Sequence, residues 1–178
     1  MSADRIARFV TFATIGILNV TQHLAAAVLS SIEGADSDLV AEETLCLVST
    51  ATSRAAGIGL ADDPEIADVA SSALLDVPFS FRDYLIGGEM LESGDRAISD
   101  AAEHVYARLQ RKREFYSVHL PPNHFPGERV LNEKMELWMG RVSPPGLPEM
   151  PTVRLEKLQL VSPLLTHLKL VLAYGKKR

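Results

Sequence analysis

The sequence predicts an all-α protein, a bundle of about six or seven helices around a long N-terminal helix. Three observations point to it. Apolar residues recur at three- and four-residue intervals along most of the chain. Helix-start and helix-stop residues punctuate these runs, with short connections between them. The first run is apolar on more than one side, which in a bundle marks a central or a shared helix.

That first run extends from about Asp4 to Ile32. Ile6, Val10, Ala13, Ile17, Val20, Leu24 and Val28 fall on one helical face, while Phe12, Ile15, Leu18 and Leu29 fall elsewhere. No Asp, Glu, Lys or Arg occurs in the 24 residues from Phe9 to Ile32. That length could cross a bilayer, with Arg5 and Arg8 before it and Glu33, Asp36 and Asp38 after it. Asn19, Thr21, Gln22 and His23 occupy its middle, where polar groups cost most in lipid. A buried helix of a soluble protein is therefore expected, rather than a membrane span or a cleaved signal.

A second helix is expected from about Ser37 towards Arg54, with Asp38, Glu42 and Glu43 at its positive end and Leu39, Cys46, Leu47 and Val48 inward. Gly57 and Gly59 suggest a break. Asp63 then caps a third helix whose first residue is Pro64 and whose inner face carries Ile66, Val69, Ala70, Ala73 and Leu74. Pro78 ends that unit, and residues 79–92 read as a short helix interrupted by Gly87 and Gly88.

From about Asp95 to Tyr116, the residues Ile98, Ala101, Ala102, Val105, Leu109 and Tyr116 share one face. A further helix is expected over about Glu128 to Met139, with Leu131, Met135 and Trp138 as its stripe. Four prolines between Pro144 and Pro151 make about 141–151 a connector to a C-terminal segment, residues 152–178. That segment alternates like a strand in "HLKLVLAY", yet Leu158, Val161, Leu165, Leu168 and Leu172 match helical spacing. Ser162-Pro163 is a helix start, and Gly175 before Lys176 is a helix stop. Helix is expected, with a short β-hairpin as the alternative. At 178 residues and 47% hydrophobic, the whole chain, 1–178, reads as a single domain with one core.

Composition narrows the function classes. A single cysteine, Cys46, excludes an internal disulfide framework and a cysteine-rich zinc site. Flanked by Leu45 and Leu47, it reads as a buried, inert thiol, and a cytoplasmic location fits. The net charge of −5 is divided unevenly. Residues 1–75 hold three arginines against ten acids, whereas the stretch from Thr152 holds six bases and one acid. Separated fields of this kind can orient a second copy of the chain. A pI near 5.5 argues against nucleic acid as a partner. Its best local candidate, Arg108, Arg111, Lys112 and Arg113, reads more simply as cations placed towards a helix C-terminus.

The segment "HLPPNHFPGE", residues 119–128, is the candidate for chemistry. Imidazole binds zinc, copper or iron, and a carboxylate can complete such a site. A β-turn centred on Pro122-Asn123 would bring His119 and His124 together, with Glu128 as a further ligand for a divalent transition metal. A simpler reading is a proline-stiffened connector anchored by Phe125. Asp100, Glu103 and His104 also have the spacing of carboxylate–histidine ligands in helical bundles, but they lie opposite Ile98, Val105 and Leu109. His23 could accept a phosphoryl group, although a partly buried, hydrogen-bonded histidine is the commoner case. "GIGLAD" lacks the third glycine of a dinucleotide fingerprint.

The leading expectation is a helical interaction or structural protein that self-associates and has no catalytic signature. The alternative is a metal-dependent enzyme or small-ligand binder of bundle type at His119, His124 and Glu128. Peripheral membrane contact through the C-terminal segment and Lys176, Lys177 and Arg178 ranks third.

Overall fold

A computed structural model describes residues 3–81, 95–144 and 159–176. These contain seven helices: α1 (Ala3–Ser31), α2 (Ser37–Gly59), α3 (Pro64–Leu75), α4 (Val77–Ser80), α5 (Asp95–His119), α6 (Glu128–Val142) and α7 (Val161–Lys176). The described residues are 84% helical and include no strand, so the all-α expectation holds. The hairpin alternative does not, because α7 is a continuous helix from Val161. Side chains of 95–101 lie outside the described residues. So do 82–94 and 145–158, with the expected glycine-interrupted helix and most of the proline connector.

The centre of the bundle is α2, not the N-terminal helix that the sequence suggested. α2 packs against α1, α3, α4, α5, α6 and α7. Val40 and an unbroken run from Glu42 to Ser53 are buried, as are Ala55 and Ala56. The misreading has a physical cause. α2 is built of Thr, Ser and Ala beside its few large apolar residues, and small side chains let six neighbours approach closely. Their hydroxyls are satisfied along the helix itself: Thr44, Thr50 and Thr52 donate to the carbonyls of Val40, Cys46 and Val48. The absence of a one-sided apolar stripe therefore hid the most buried helix.

α1 instead packs through one stripe. Phe9, Ala13, Ile17, Val20, Leu24 and Val28 are buried, close to the expected face with Phe9 added. Phe12 stacks on Tyr174 of α7, with ring centroids 4.9 Å apart. Ile15 and Leu29 stay 55% and 40% exposed.

Local signals were accurate where capping chemistry is specific. Asp36 accepts from the Asp38 and Leu39 amides to start α2, and Asp63 accepts from Ile66 N–H to start α3 before Pro64. Proline and glycine misled elsewhere. Pro78 sits in the first turn of α4 rather than closing α3, which ends at Leu75. Gly57 lies within α2, and Gly59 is its last residue. Gly59 and Gly175 are contact points: a Cβ on Gly175 would lie 2.9 Å from the Gly59 carbonyl carbon. Two bare backbones thus let α2 and α7 cross in contact, and α7 continues through Gly175. The stripes also shift. Val69 is 60% exposed, and α7 buries Leu168 as predicted but adds Leu164, His167 and Val171, while Val161, Leu165 and Leu172 are half-buried and Leu158 lies outside the described residues.

Candidate functional site

The 119–128 segment forms the predicted turn, with Asn123 at φ 68°, the left-handed region that Asn tolerates. The turn does not assemble a ligand set. His119 ends α5 with its ring 4.4 Å from that of Phe115. His124 is exposed, its Nδ1 3.4 Å from the Pro122 carbonyl oxygen. Glu128 is exposed in the first turn of α6. Among the described residues, no three His, Cys, Asp or Glu side chains are grouped to hold a metal ion. Phe125 packs against the core as expected, beside buried Pro126. Glu103 and His104 are exposed on α5, and Asp100 lies outside the described side chains. His23, expected partly buried, is exposed on α1.

What the sequence reading missed is a buried charge cluster on α2. Glu42 and Glu43 were expected only to suit the positive end of that helix, and they are 2% and 1% exposed. Arg108 of α5 forks onto Glu42, with Nε 2.8 Å from Oε2. Lys112, one turn on, places Nζ 2.6 Å from the same oxygen and 3.8 Å from Glu43 Oε1. Arg141 of α6 grips Glu43 through Nε and Nη2, each at 2.7 Å. Tyr116 donates its hydroxyl to Glu43 at 2.7 Å. Trp138 Nε1 donates to Thr44 Oγ1 at 3.2 Å beside them.

Burial pushes the Glu42 carboxyl upward, but the hydrogen bonds and positive charge of Arg108 and Lys112 outweigh this and hold it below the usual range. Burial, reinforced by the Glu43 charge, drives the Tyr116 hydroxyl well above its ordinary value. Each carboxylate is already paired with cations in bidentate or near-linear geometry. The cluster therefore clamps α5 and α6 onto α2 and offers no free acid or base. It also disperses the expected basic patch: Arg108 and Lys112 turn inward, and Arg113 pairs with Asp76 at 2.9 Å. A signal for it was present. Arg108, Lys112 and Tyr116 repeat every four residues on α5, facing the only adjacent acids in an otherwise sparsely charged α2.

Two further polar groups are buried. Cys46 is 1% exposed, and burial pushes its thiol up to about 12, which leaves it inert as predicted. His167 packs over the bare Cα of Gly16, and its Nε2 lies 3.0 Å from Thr52 Oγ1. Burial lowers it to about 4, so this ring is neutral near pH 7.

A cleft of about 310 Å³ opens between α2, α3 and the Pro122-Asn123 turn. Arg54 lines it, with Nε donating 2.7 Å to the Leu120 carbonyl. Comparison of the chain with protein-family models, curated proteins and solved structures finds no match.

Proposed function

We propose that the chain is a self-associating helical interaction protein, pairing through the outer face of α1. One observation carries the reading. α1 is long and apolar enough to cross a membrane, yet only 28% of its most apolar 18-residue window is buried within the fold. Its outward positions Thr11, Ile15, Asn19, Gln22, Ala26 and Leu29 recur at intervals of three or four and carry no charge. Outward faces of soluble helices ordinarily carry Lys and Glu, which keep them monomeric. An uncharged face about five turns long is suited to a second surface.

The occupant we favour is a second copy, running antiparallel. Arg8 at one end of α1 is exposed, and so is Glu33 just beyond the other. Setting Arg8 opposite Glu33 of the partner copy also sets Ile15 opposite Ala26 and Asn19 opposite Gln22. Large then meets small, and two carboxamides can hydrogen-bond at the two-fold axis. A bilayer is the less favoured occupant. The other face of α1 is tied into the core by six buried residues, so a span would require the bundle to open.

Site-directed disulfide formation tests the pairing, because native Cys46 is buried and silent. Gln22→Cys lies near the two-fold axis and forms an intermolecular disulfide on mild oxidation. Leu29→Cys does not, since its counterpart is about 25 Å away along the helices. Equal cross-linking at both positions contradicts the antiparallel arrangement. None at either contradicts pairing through this face.

A further inference from the structure

The cleft beside Arg54 is independent of the α1 face. Arg54 is half-buried, and one of its five N–H donors is engaged, by the Leu120 carbonyl. Among the described residues it has no ionic partner, and burial alone depresses its pKa. This sets it apart from Arg108 and Arg141, which are matched to carboxylates within the cluster on α2. A cation withdrawn from water without a counter-charge costs stability unless an anion compensates it.

The cleft's walls define which anion. Ile58, Ala61 and Ala67 line it as apolar residues, and Asn123 of the turn lines it as a polar one. Ser53 and Ser71 cross-link α2 to α3 at its floor, each hydroxyl donating to the other's carbonyl at 2.9 and 3.3 Å. Their donors are thus spent, and Arg54 and Asn123 are left to bind. Asp68 also lines the cleft and is exposed. It disfavours a ligand of high negative charge. A volume of about 310 Å³ lies at the lower end for small-molecule sites.

We propose that this cleft binds a small organic monocarboxylate, its carboxylate forked onto Arg54 and its apolar body against Ile58, Ala61 and Ala67. The planar guanidinium matches a carboxylate in two parallel hydrogen bonds, which an ammonium cannot do. The Pro122-Asn123 turn closes over the ligand, which gives the proline-rich 119–128 segment a role without metal.

Titration of the full chain with hexanoate, inorganic phosphate and hexylamine, followed by amide chemical shifts, tests this. Hexanoate is expected to give saturable shifts confined to residues 53–71 and 120–124, with phosphate at least about tenfold weaker and hexylamine silent. Arg54→Gln weakens hexanoate by about tenfold or more. Asp68→Asn alters an exposed residue outside the fold's packing and tightens hexanoate about two- to fivefold at low salt, a gain lost at high salt. That second variant decides the matter if Arg54→Gln does not fold. Phosphate binding as tightly as hexanoate, unchanged hexanoate affinity in Arg54→Gln, no effect of Asp68→Asn at low salt, or no saturable shift at millimolar hexanoate would each overturn the proposal.

Discussion

Lys112 Nζ lies 2.6 Å from Glu42 Oε2, and both side chains are almost wholly withdrawn from water. A lysine is buried only where its charge is met, so the two residues depend on each other. Glu42→Gln leaves Lys112 facing only Glu43 at 3.8 Å and is expected to cost about 3–5 kcal/mol. Lys112→Met combined with Glu42→Met costs clearly less than the sum of the single changes. Urea denaturation of the four proteins in a double-mutant cycle measures the coupling. Additive single effects would show that the pair is incidental.

His167 sets an acid limit. Its folded value of about 4 lies below the ordinary 6.5, so the unfolded chain binds the proton more readily. Its contribution to stability is therefore full above about pH 6.5 and is lost as pH falls towards 4, up to about 3 kcal/mol. Glu42, held low by Arg108 and Lys112, adds a second loss below the usual carboxylate range near 4.5. Thermal melts between pH 7 and pH 3 should show two stages. His167→Asn, which cannot titrate, should remove the upper one and keep the lower.

The α2–α7 crossing is intolerant of a methyl group. Gly175→Ala places a Cβ 2.9–3.1 Å from the Gly59 backbone, which cannot move aside like a flexible side chain. A loss of about 1–3 kcal/mol is expected. At Gly34, in a left-handed turn with open space around it, alanine is strained by its φ of 76° alone, and about 1 kcal/mol is expected. Chemical denaturation separates the two.

Cys46 should resist a thiol reagent in the folded protein and react with one equivalent in denaturant. Burial and a thiol near 12 both suppress the thiolate. Rapid labelling of native protein would place Cys46 nearer the surface than its 1% exposure allows.

Periodicity and caps made most of the helices legible from sequence, since Asp36, Asp63 and Pro64 act through their own neighbours. The centre of the bundle was not legible. α2 is buried all round through Thr, Ser, Ala and ion-paired Glu, so no single apolar stripe marks an inner face. Its burial depends on Arg108, Lys112 and Arg141, which lie more than sixty positions away. The candidate chemistry was less legible for a related reason. His119, His124 and Glu128 are close in sequence, yet the described residues do not gather three such side chains around one point. Arg54 lacked any local motif, and its isolation becomes visible only once α2, α3 and the 119–128 turn are assembled around it.

The outer face of α1 can be altered without disturbing the core, unlike α7, whose Leu164, Leu168 and Val171 are buried. Ile15 is 55% exposed, so its replacement leaves the core intact. The most direct measurement is therefore the solution mass of the wild-type chain and of Ile15→Lys by light scattering across a concentration series. A wild-type dimer near 39 kDa, twice the 19.4 kDa chain, converted to monomer by Ile15→Lys with unchanged helicity, is the predicted result. A wild-type chain that stays monomeric at every concentration, or a dimer indifferent to Ile15→Lys, would contradict the account.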